Sequence, residues 1–453
     1  MPFHSIQYLI FFPSLAILYF LTPRSRQWVL LLMASGLFYL AFIPAYIFLP
    51  LFLILLDYFS GLFMEKLKAR QKKFLFIATV ILNLLPLLIF KYSNLPFPSL
   101  SFILPVGISF YTLQSLGYII DVYRGNQKAE KHIGYLSVFI LFFPQILAGP
   151  IERASRMIPQ FKEPHVYEET RVTDGLLLIL FGFYKKVVIA DNLALVANHV
   201  FNNTSGFVGI PLIVAILAFT FQIYYDFSGY TDIARGSAKV LGFNIIENFN
   251  HPYFSTSIQD FWRRWHISFS SWLRDYVYIP LGGNRLGRTR KYLNIFITFL
   301  ISGFWHGAGW NFVLWGAYNG ITIIITDLFS GLKTLSRLTS IKLISIPVSF
   351  LLICLGWIIF RSSSITEVVY IISHIPQNFL PFNQSFFSDI ISEKIALLII
   401  VSVFIIEFFP CLKIKNKPLV LPKWSFWFIC AFAVLAIINL GVVKSVPFIY
   451  SQF

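Results

Sequence analysis

The chain has 453 residues, of which 57% are hydrophobic and 12% charged, with 36 Lys and Arg against 20 Asp and Glu. Its mean hydropathy is +0.72, and the charged fraction is about half that of an ordinary soluble protein. This excludes two soluble domains of ordinary size and points to one polytopic, all-α membrane domain over residues 1–453. The net charge of +16 does not indicate a nucleic-acid partner, because the Lys and Arg residues cluster in short connections between apolar runs, as in membrane proteins with cytoplasmic basic loops.

In chain order, a crossing helix needs about 20 apolar residues. Apolar runs predict spans near 6–22, 27–43, 46–63, 74–90, 102–120, 175–200, 208–226, 341–360, 393–409 and 425–442. The start, MPFHSIQ, lacks the basic n-region of a signal peptide, so the first run reads as a retained span. The basic connections are TPRSR (22–26), EKLKARQKK (65–73), YRGNQKAEKH (123–132), the stretch 235–291 and LKIKNK (412–417). Placing them all in the cytoplasm puts residue 1 and the loops near 91–99, 202–207 and 361–392 outside.

Residues 142–161, FFPQILAGPIERASRMIPQF, are apolar but interrupted by Pro144, Gly149, Pro150 and Pro159. Irregular backbone at membrane depth requires surrounding protein or a water-filled cavity, so a re-entrant turn is expected. Asp226 and Asp232 in DFSGYTD (226–232) stand at the end of a span, where they can pair with arginines or orient a histidine.

Residues 250–291 form a cytoplasmic-side amphipathic segment. Ser257 and Asp260 resemble a capping box, and Pro280, Gly282 and Gly283 stop the helix that follows. Ile258, Phe261, Trp262, Trp265, Phe269, Trp272 and Leu273 recur at helical spacing, with Arg263, Arg264 and Arg274 on much of the other side. An interfacial anchor explains this pattern, except for His266, which falls on the aromatic face. The run Arg285, Arg288, Arg290 and Lys291 reads as a stop signal at the membrane edge or a docking patch for an acidic carrier or a phosphate.

The hairpin 292–327 follows. No Asp, Glu, Lys or Arg occurs between Lys291 and Asp327, yet His306 stands at the centre of GFWHGAGWNF (303–312). From Tyr292 to Trp305 a helix measures about 21 Å, less than the hydrocarbon core of about 30 Å. A break at the glycines therefore leaves His306 at membrane depth, where ionisable groups are functional candidates. A neutral imidazole is the form a general base needs. A histidine that only bonds across helices fits the same pattern, and the residues alone leave both readings open.

The eight histidines include no i,i+4 pair and no HExxH, and the cysteines at 354, 411 and 430 have no metal-site spacing, so no metal site and no bound cofactor are expected. GxSxG, the nucleophile motif of serine hydrolases, is absent. The cysteines read as buried thiols.

GPIERASRMIPQF (149–161), YYDFSGYTDIARGSAKVLGF (224–243), NFNHPYFSTSIQDFWRRWHISFSSWLRDYVYIPLGGNR (248–285), SGFWHGAGWNFVLWGAYNG (302–320) and the closing VPFIYSQF (446–453) together resemble the membrane-bound O-acyltransferases. The similarity is strongest to the bacterial alginate O-acetylation branch and weaker to the teichoic acid D-alanyl transfer proteins. It runs over most of the chain. It implies a ring of transmembrane helices with short re-entrant helices around a central tunnel. It also implies a catalytic His306 and a second essential histidine, His266, which orients the donor or stabilises developing charge. Substrate contacts at Trp262, Arg263, Arg264, Trp265, Arg274, Asp275, Trp305 and Asn311 follow from the same motifs. The implied activity is transfer of an acyl group, foremost acetyl, from a cytoplasmic acetyl-CoA or acyl carrier protein thioester to a hydroxyl of a cell-envelope or secreted polysaccharide. The implied setting is the bacterial inner membrane, with a periplasmic or extracellular acyltransferase as partner. D-alanyl transfer to teichoic-type polymers is the alternative within the family. Outside it, a polysaccharide or lipid-precursor transporter lacks the internal repeats such folds carry.

Overall fold

The computed structural model describes residues 1–93, 103–147, 149–330, 341–377, 392–408, 413–414, 417–418, 423–442 and 447–449. Cys411 and most of the closing octapeptide lie outside the described residues, while Cys354 and Cys430 are buried free thiols. The described chain is overwhelmingly helical.

Every expected span contains helix. Five helices are long and apolar enough to cross a membrane: Pro44–Met64, Ala69–Tyr92, Ile210–Leu241, Trp310–Phe329 and Lys342–Arg361. One of them, Trp310–Phe329, belongs to the hairpin 292–327, which is not among the expected full spans. Several expected spans are shorter in the structure. Gln27–Leu40 has 14 residues, about 21 Å of helix. The run expected over 102–120 begins as helix only at Ile108. Gly107 holds a left-handed φ of 76° there, and a Cβ on it would lie 2.1 Å from the Ile146 carbonyl oxygen. The outer surface of the bundle is apolar, with Phe74, Leu21 and Leu343 strongly exposed, as a lipid-facing surface requires.

Residues 142–161 form short helical pieces, Phe143–Ile146 and Ala154–Lys162, after the helix Ile133–Leu141. Phe142, Phe143 and Ile146 are fully enclosed by protein, and the Phe143 amide donates to Ser35 Oγ at 3.1 Å. Irregular backbone here is thus satisfied by neighbouring helices.

Residues 169–201 are one long helical run, Glu169–Phe183, Tyr184–Ala190 and Asp191–Phe201, whose middle turn is π-helical. The run packs closely on Ile210–Leu241. A Cβ on Gly182 would stand 2.7 Å from the Gly229 carbonyl oxygen, and one on Gly229 2.8 Å from that of Gly182, the small-residue contact typical of membrane helices. The π-turn carries Lys186 into the core, where Nζ lies 2.7 Å from Asp191 and 2.8 Å from Asp226. Asp226 also accepts from the Ile449 amide at 2.8 Å, which ties the closing residues to the bundle. Asp232 pairs with Lys185 at 2.7 Å and Arg235 at 3.5 Å. Lysines, more than the expected arginines, therefore meet these two carboxylates.

The connections at 24–28, 58–66, 124–132 and 163–165 contact one another. Gln27 donates to the His165 carbonyl at 3.0 Å, the Tyr58 hydroxyl to that of Lys131 at 2.8 Å and the Ala129 amide to Glu65 at 2.7 Å. The loop at 204–209 joins the segment at 367–374 through Thr204–Glu367 at 2.6 Å and the Gly209 amide to the His374 carbonyl at 2.9 Å.

Candidate active site

The segment after Ser257 begins as its sequence suggests. Ser257 Oγ accepts the Asp260 amide at 3.1 Å, and Asp260 returns a bond to the Thr256 amide at 3.2 Å. The single helix expected up to Pro280 does not form. The structure has Ile258–Arg264, then a break at Trp265 and His266, then Ile267–Leu273 and a π-turn over Arg274–Tyr278. The cause lies in the loop around Asn248. Its carbonyl accepts the Ile267 amide at 2.9 Å, and its side-chain oxygen accepts the Ser268 amide at 3.2 Å. These are the orphan donors of a new helix start, so the loop caps a second helix where periodicity alone would continue the first. His266 takes the left-handed conformation at the junction, with φ 42°, which non-glycine residues adopt rarely.

The second short helix is fixed from the far side. Trp272 Nε1 donates to the Leu113 carbonyl at 2.9 Å, the Tyr276 hydroxyl to Asp121 at 2.7 Å, and Arg153 pairs with Asp275 at 3.0 Å. The His266 ring is 1% exposed. Its Nδ1 lies 3.1 Å from Asn248 Oδ1. Phe227, Phe269 and Phe110 surround it, at ring separations of 4.7, 5.1 and 6.4 Å.

His306 closes the helix Gly287–His306, and Trp310–Ser330 returns beside it. The glycines of GFWHGAG serve this return. A Cβ on Gly303 would lie 2.3 Å from the Phe312 carbonyl oxygen, and one on Gly307 would overlap the Phe312 ring. The partner helix contributes Gly316, whose Cβ would stand 2.4 Å from the Phe299 carbonyl oxygen. Lys291 and Asp327, 2.7 Å apart, close the base of the hairpin. His306 is 3% exposed, walled by Trp305, Trp315, Phe360 and Phe269 at 4.8, 4.8, 5.4 and 5.7 Å. Phe269 stacks on Trp305 at 4.2 Å. Trp305 lies 6.2 Å from the His266 ring, so the two histidines flank one stacked aromatic pair.

Two hollows approach this pair. One, of about 240 Å³, is lined by Trp262, Arg263, Phe269, Arg274, Tyr278 and Ser302 among others. Trp262 Nε1 and Ser302 Oγ are buried with no hydrogen-bond partner among the described residues. The other, of about 430 Å³, is bounded by His4, Phe42, Gly107, Phe110, Tyr230 and Phe448 among others. Phe269 edges the first and Phe110 the second, and both rings lie within 6.4 Å of the His266 ring. Each hollow thus ends one side chain from the histidines.

The sequence has relatives among known proteins. The sequence profile of MBOAT, the membrane-bound O-acyltransferase family, matches residues 131–366. The chain is 39% identical over 377 residues to the probable alginate O-acetylase AlgI of Pseudomonas syringae pv. tomato, covering 79% of this chain and 71% of that one. It is 35% identical over 380 residues to the peptidoglycan O-acetyltransferase of Helicobacter pylori, covering 76% and 72%. It is 29% identical over 331 residues to the teichoic acid D-alanyltransferase of Bacillus subtilis, covering 66% and 81%. The chain belongs to the membrane-bound O-acyltransferase family.

In this O-acyltransferase the other residues singled out from sequence divide into two groups. Trp262, Arg263 and Arg274 line the smaller hollow, and Trp305 stands between the histidines, its Nε1 donating to the Ser109 carbonyl at 3.3 Å. Arg264, Trp265, Asp275 and Asn311 line neither hollow. Arg264 pairs with Asp260 at 2.9 Å. Trp265 packs on Trp357 and Phe249 at 4.9 and 5.0 Å. Asp275 is held between Arg153 and Arg274. Asn311 donates to the Phe360 carbonyl at 3.2 Å.

Sequence reasoning missed Lys91, Asn248, Trp315 and Phe360. Lys91 is buried, its Nζ donating to the Trp305 carbonyl and lying 5.7 Å from the Trp305 ring. A cation at the end of an apolar run ordinarily marks the membrane edge, which concealed it. NFNHP, just ahead of the aromatic segment, was the one available signal for Asn248.

Proposed function

We propose that this membrane O-acyltransferase carries an acetyl group from a cytoplasmic thioester to a hydroxyl of a cell-envelope or secreted polysaccharide reached from the opposite side of the inner membrane. One observation carries the reading: two separate hollows, one edged by Phe269 and the other by Phe110, each come within one ring of His266, and His306 packs on Phe269 and Trp305 beside it. Acyl transfer to a hydroxyl needs two polar substrates brought to one point and a base for the hydroxyl proton.

The smaller hollow suits the donor. It lies beside the basic segment, which belongs in the cytoplasm. Arg263 and Arg274 at its wall fit the phosphates of coenzyme A or of a carrier-protein arm. The Trp262 and Ser302 groups fit the amide carbonyls of such an arm. The larger hollow, walled by residues near the start of the chain and by Phe448, suits the acceptor or a periplasmic acyltransferase that takes the acetyl group onward. His306 takes the hydroxyl proton, the oxygen attacks the thioester carbonyl, and the proton passes to the departing thiolate. No acyl-enzyme is needed.

Acetyl is favoured over D-alanyl because two relatives of 35% identity or more are named for O-acetyl transfer. Asp226, Asp232 and Asp275, three carboxylates that could have met an alanyl ammonium, are each engaged by lysine or arginine. The test is ester-linked acetate on surface and secreted polysaccharides in a deletion strain complemented at matched membrane levels. Wild type should restore it and His306→Ala should not, and the polymer that loses acetate names the substrate. Full restoration by His306→Ala would assign the histidine a structural role and overturn the reading.

A further inference from the structure

The acyl-transfer reading leaves His266 without a chemical assignment, and the bonds around Asn248 supply one. Asn248 Oδ1 lies 3.2 Å from the Ser268 amide nitrogen, 2.9 Å from Ser268 Oγ and 3.1 Å from His266 Nδ1. A backbone amide only donates, so the Asn248 atom facing it is the carbonyl oxygen and not the NH2 group. A carbonyl oxygen only accepts, so His266 Nδ1 carries the hydrogen. The neutral ring then bears its lone pair at Nε2.

We propose that Asn248 is a positioning residue that locks His266 in the Nδ1–H tautomer, so that Nε2 accepts a hydrogen bond from the hydroxyl-bearing acceptor. Such a ring has no proton at Nε2 to give a thioester carbonyl or its developing oxyanion. His266 therefore belongs to the acceptor half of the reaction, not to the donor. Its ring neighbours reach both hollows: Phe269, 5.1 Å away, edges the smaller one. Phe110, 6.4 Å from the His266 ring, is a wall of the larger hollow. The left-handed φ of 42° at His266 also has a cause in this arrangement. Sparsely populated backbone conformations persist where surrounding bonds over-determine them, and Asn248 holds Ile267 and Ser268 immediately after the strained residue. A second partner that fixes the ring nitrogen and its orientation is how functional histidines are commonly tuned.

The inference rests on the acyl-transfer reading for the identity of the acceptor, but its core is a proton position that can be observed without turnover. Protein labelled with ¹⁵N-histidine in lipid nanodiscs is compared by NMR with His266→Gln, which identifies the His266 signals. Wild type should show a protonated Nδ1 and an unprotonated Nε2. Asn248→Asp keeps an acceptor in place and should preserve that pattern. Asn248→Leu keeps the volume, removes the acceptor and should lose the pattern. In cells, Asn248→Leu should lower polysaccharide acetate at least tenfold at matched membrane levels, with Asn248→Asp within about threefold of wild type.

A wild-type His266 protonated at Nε2 overturns the inference. So does an Asn248→Leu protein that retains both tautomer and acetate. If Asn248→Leu fails to accumulate, the wild-type spectrum alone decides. Acetylation that survives His306→Ala would refute the acyl-transfer reading and leave the tautomer result standing, so the two failures are distinguishable.

Discussion

At the scale of single residues, the polar groups that matter are those with no exit to water. Lys186 sits between Asp191 and Asp226 and is itself fully buried. Removing the cation leaves two uncompensated carboxylates, for which a loss of roughly 3–5 kcal/mol is the usual scale. Lys186→Met should therefore lower the Tm of detergent-purified protein far more than Asp226→Asn, which keeps an acceptor for the Ile449 amide. Scanning calorimetry or a thiol-reactive dye at the buried cysteines would measure both, and equal Tm values would refute the argument. The sequence made His266 and His306 conspicuous because each breaks an apolar pattern. It concealed Lys91, which stands where basic residues ordinarily mark a membrane edge, and Lys186, which lies inside the run 175–200 read as an uninterrupted span. Burial of a lysine is decided by what the neighbouring helices bring to it, and one helix does not state that.

At the scale of elements, the hairpin Gly287–His306 and Trp310–Ser330 depends on its glycines for contact and not for flexibility. Gly303→Ala places a methyl against the Phe312 carbonyl and must push the helices apart three residues before His306. A displacement near 1 Å can cost about a hundredfold in rate, so polysaccharide acetate should fall at least tenfold while the protein still inserts. Gly36→Ala is the control, since nothing lies within 4 Å of its added Cβ, and acetate content should be unchanged. A charge-free tract broken by glycines identified the hairpin, helical periodicity the segment after Ser257, and the Ser257–Asp260 capping pattern its start. Periodicity did not reveal the break at His266, because the donors of the second helix are capped by Asn248, eighteen residues away from the histidine. Nor did it reveal the π-turn at Tyr184–Ala190, where one added residue per turn leaves the apolar pattern nearly intact.

At the scale of the whole molecule, apolar runs and basic loops gave the class and the order of spans, because lipid imposes the same length and polarity on every crossing. Short helices such as Gln27–Leu40 were overestimated, since apolar residues continue past the helix into loops that are also sheltered. The contact of loops 24–28, 58–66, 124–132 and 163–165 with one another, and of 204–209 with 367–374, makes the orientation testable. In a cysteine-free background, a cysteine at Lys128 should be shielded in intact cells from a membrane-impermeant maleimide, and one at Ser363 should react. The reverse pattern would invert the topology and exchange the donor and acceptor hollows.

The stacked pair of Phe269 and Trp305 has an electrical consequence. Moving one elementary charge through a membrane potential takes about 2.3 kcal/mol per 100 mV, and an apolar pair of rings beside the histidines is a costly place for charge to cross. On the proposed reading, with Arg263 and Arg274 at the wall of the donor hollow, the phosphates of a thioester donor would stay on that side and out of the field. The acetyl group passed on that reading is neutral, and the hydroxyl proton taken up by His306 would return to the departing thiolate. An enzyme working in this way would join two compartments chemically while doing no electrical work.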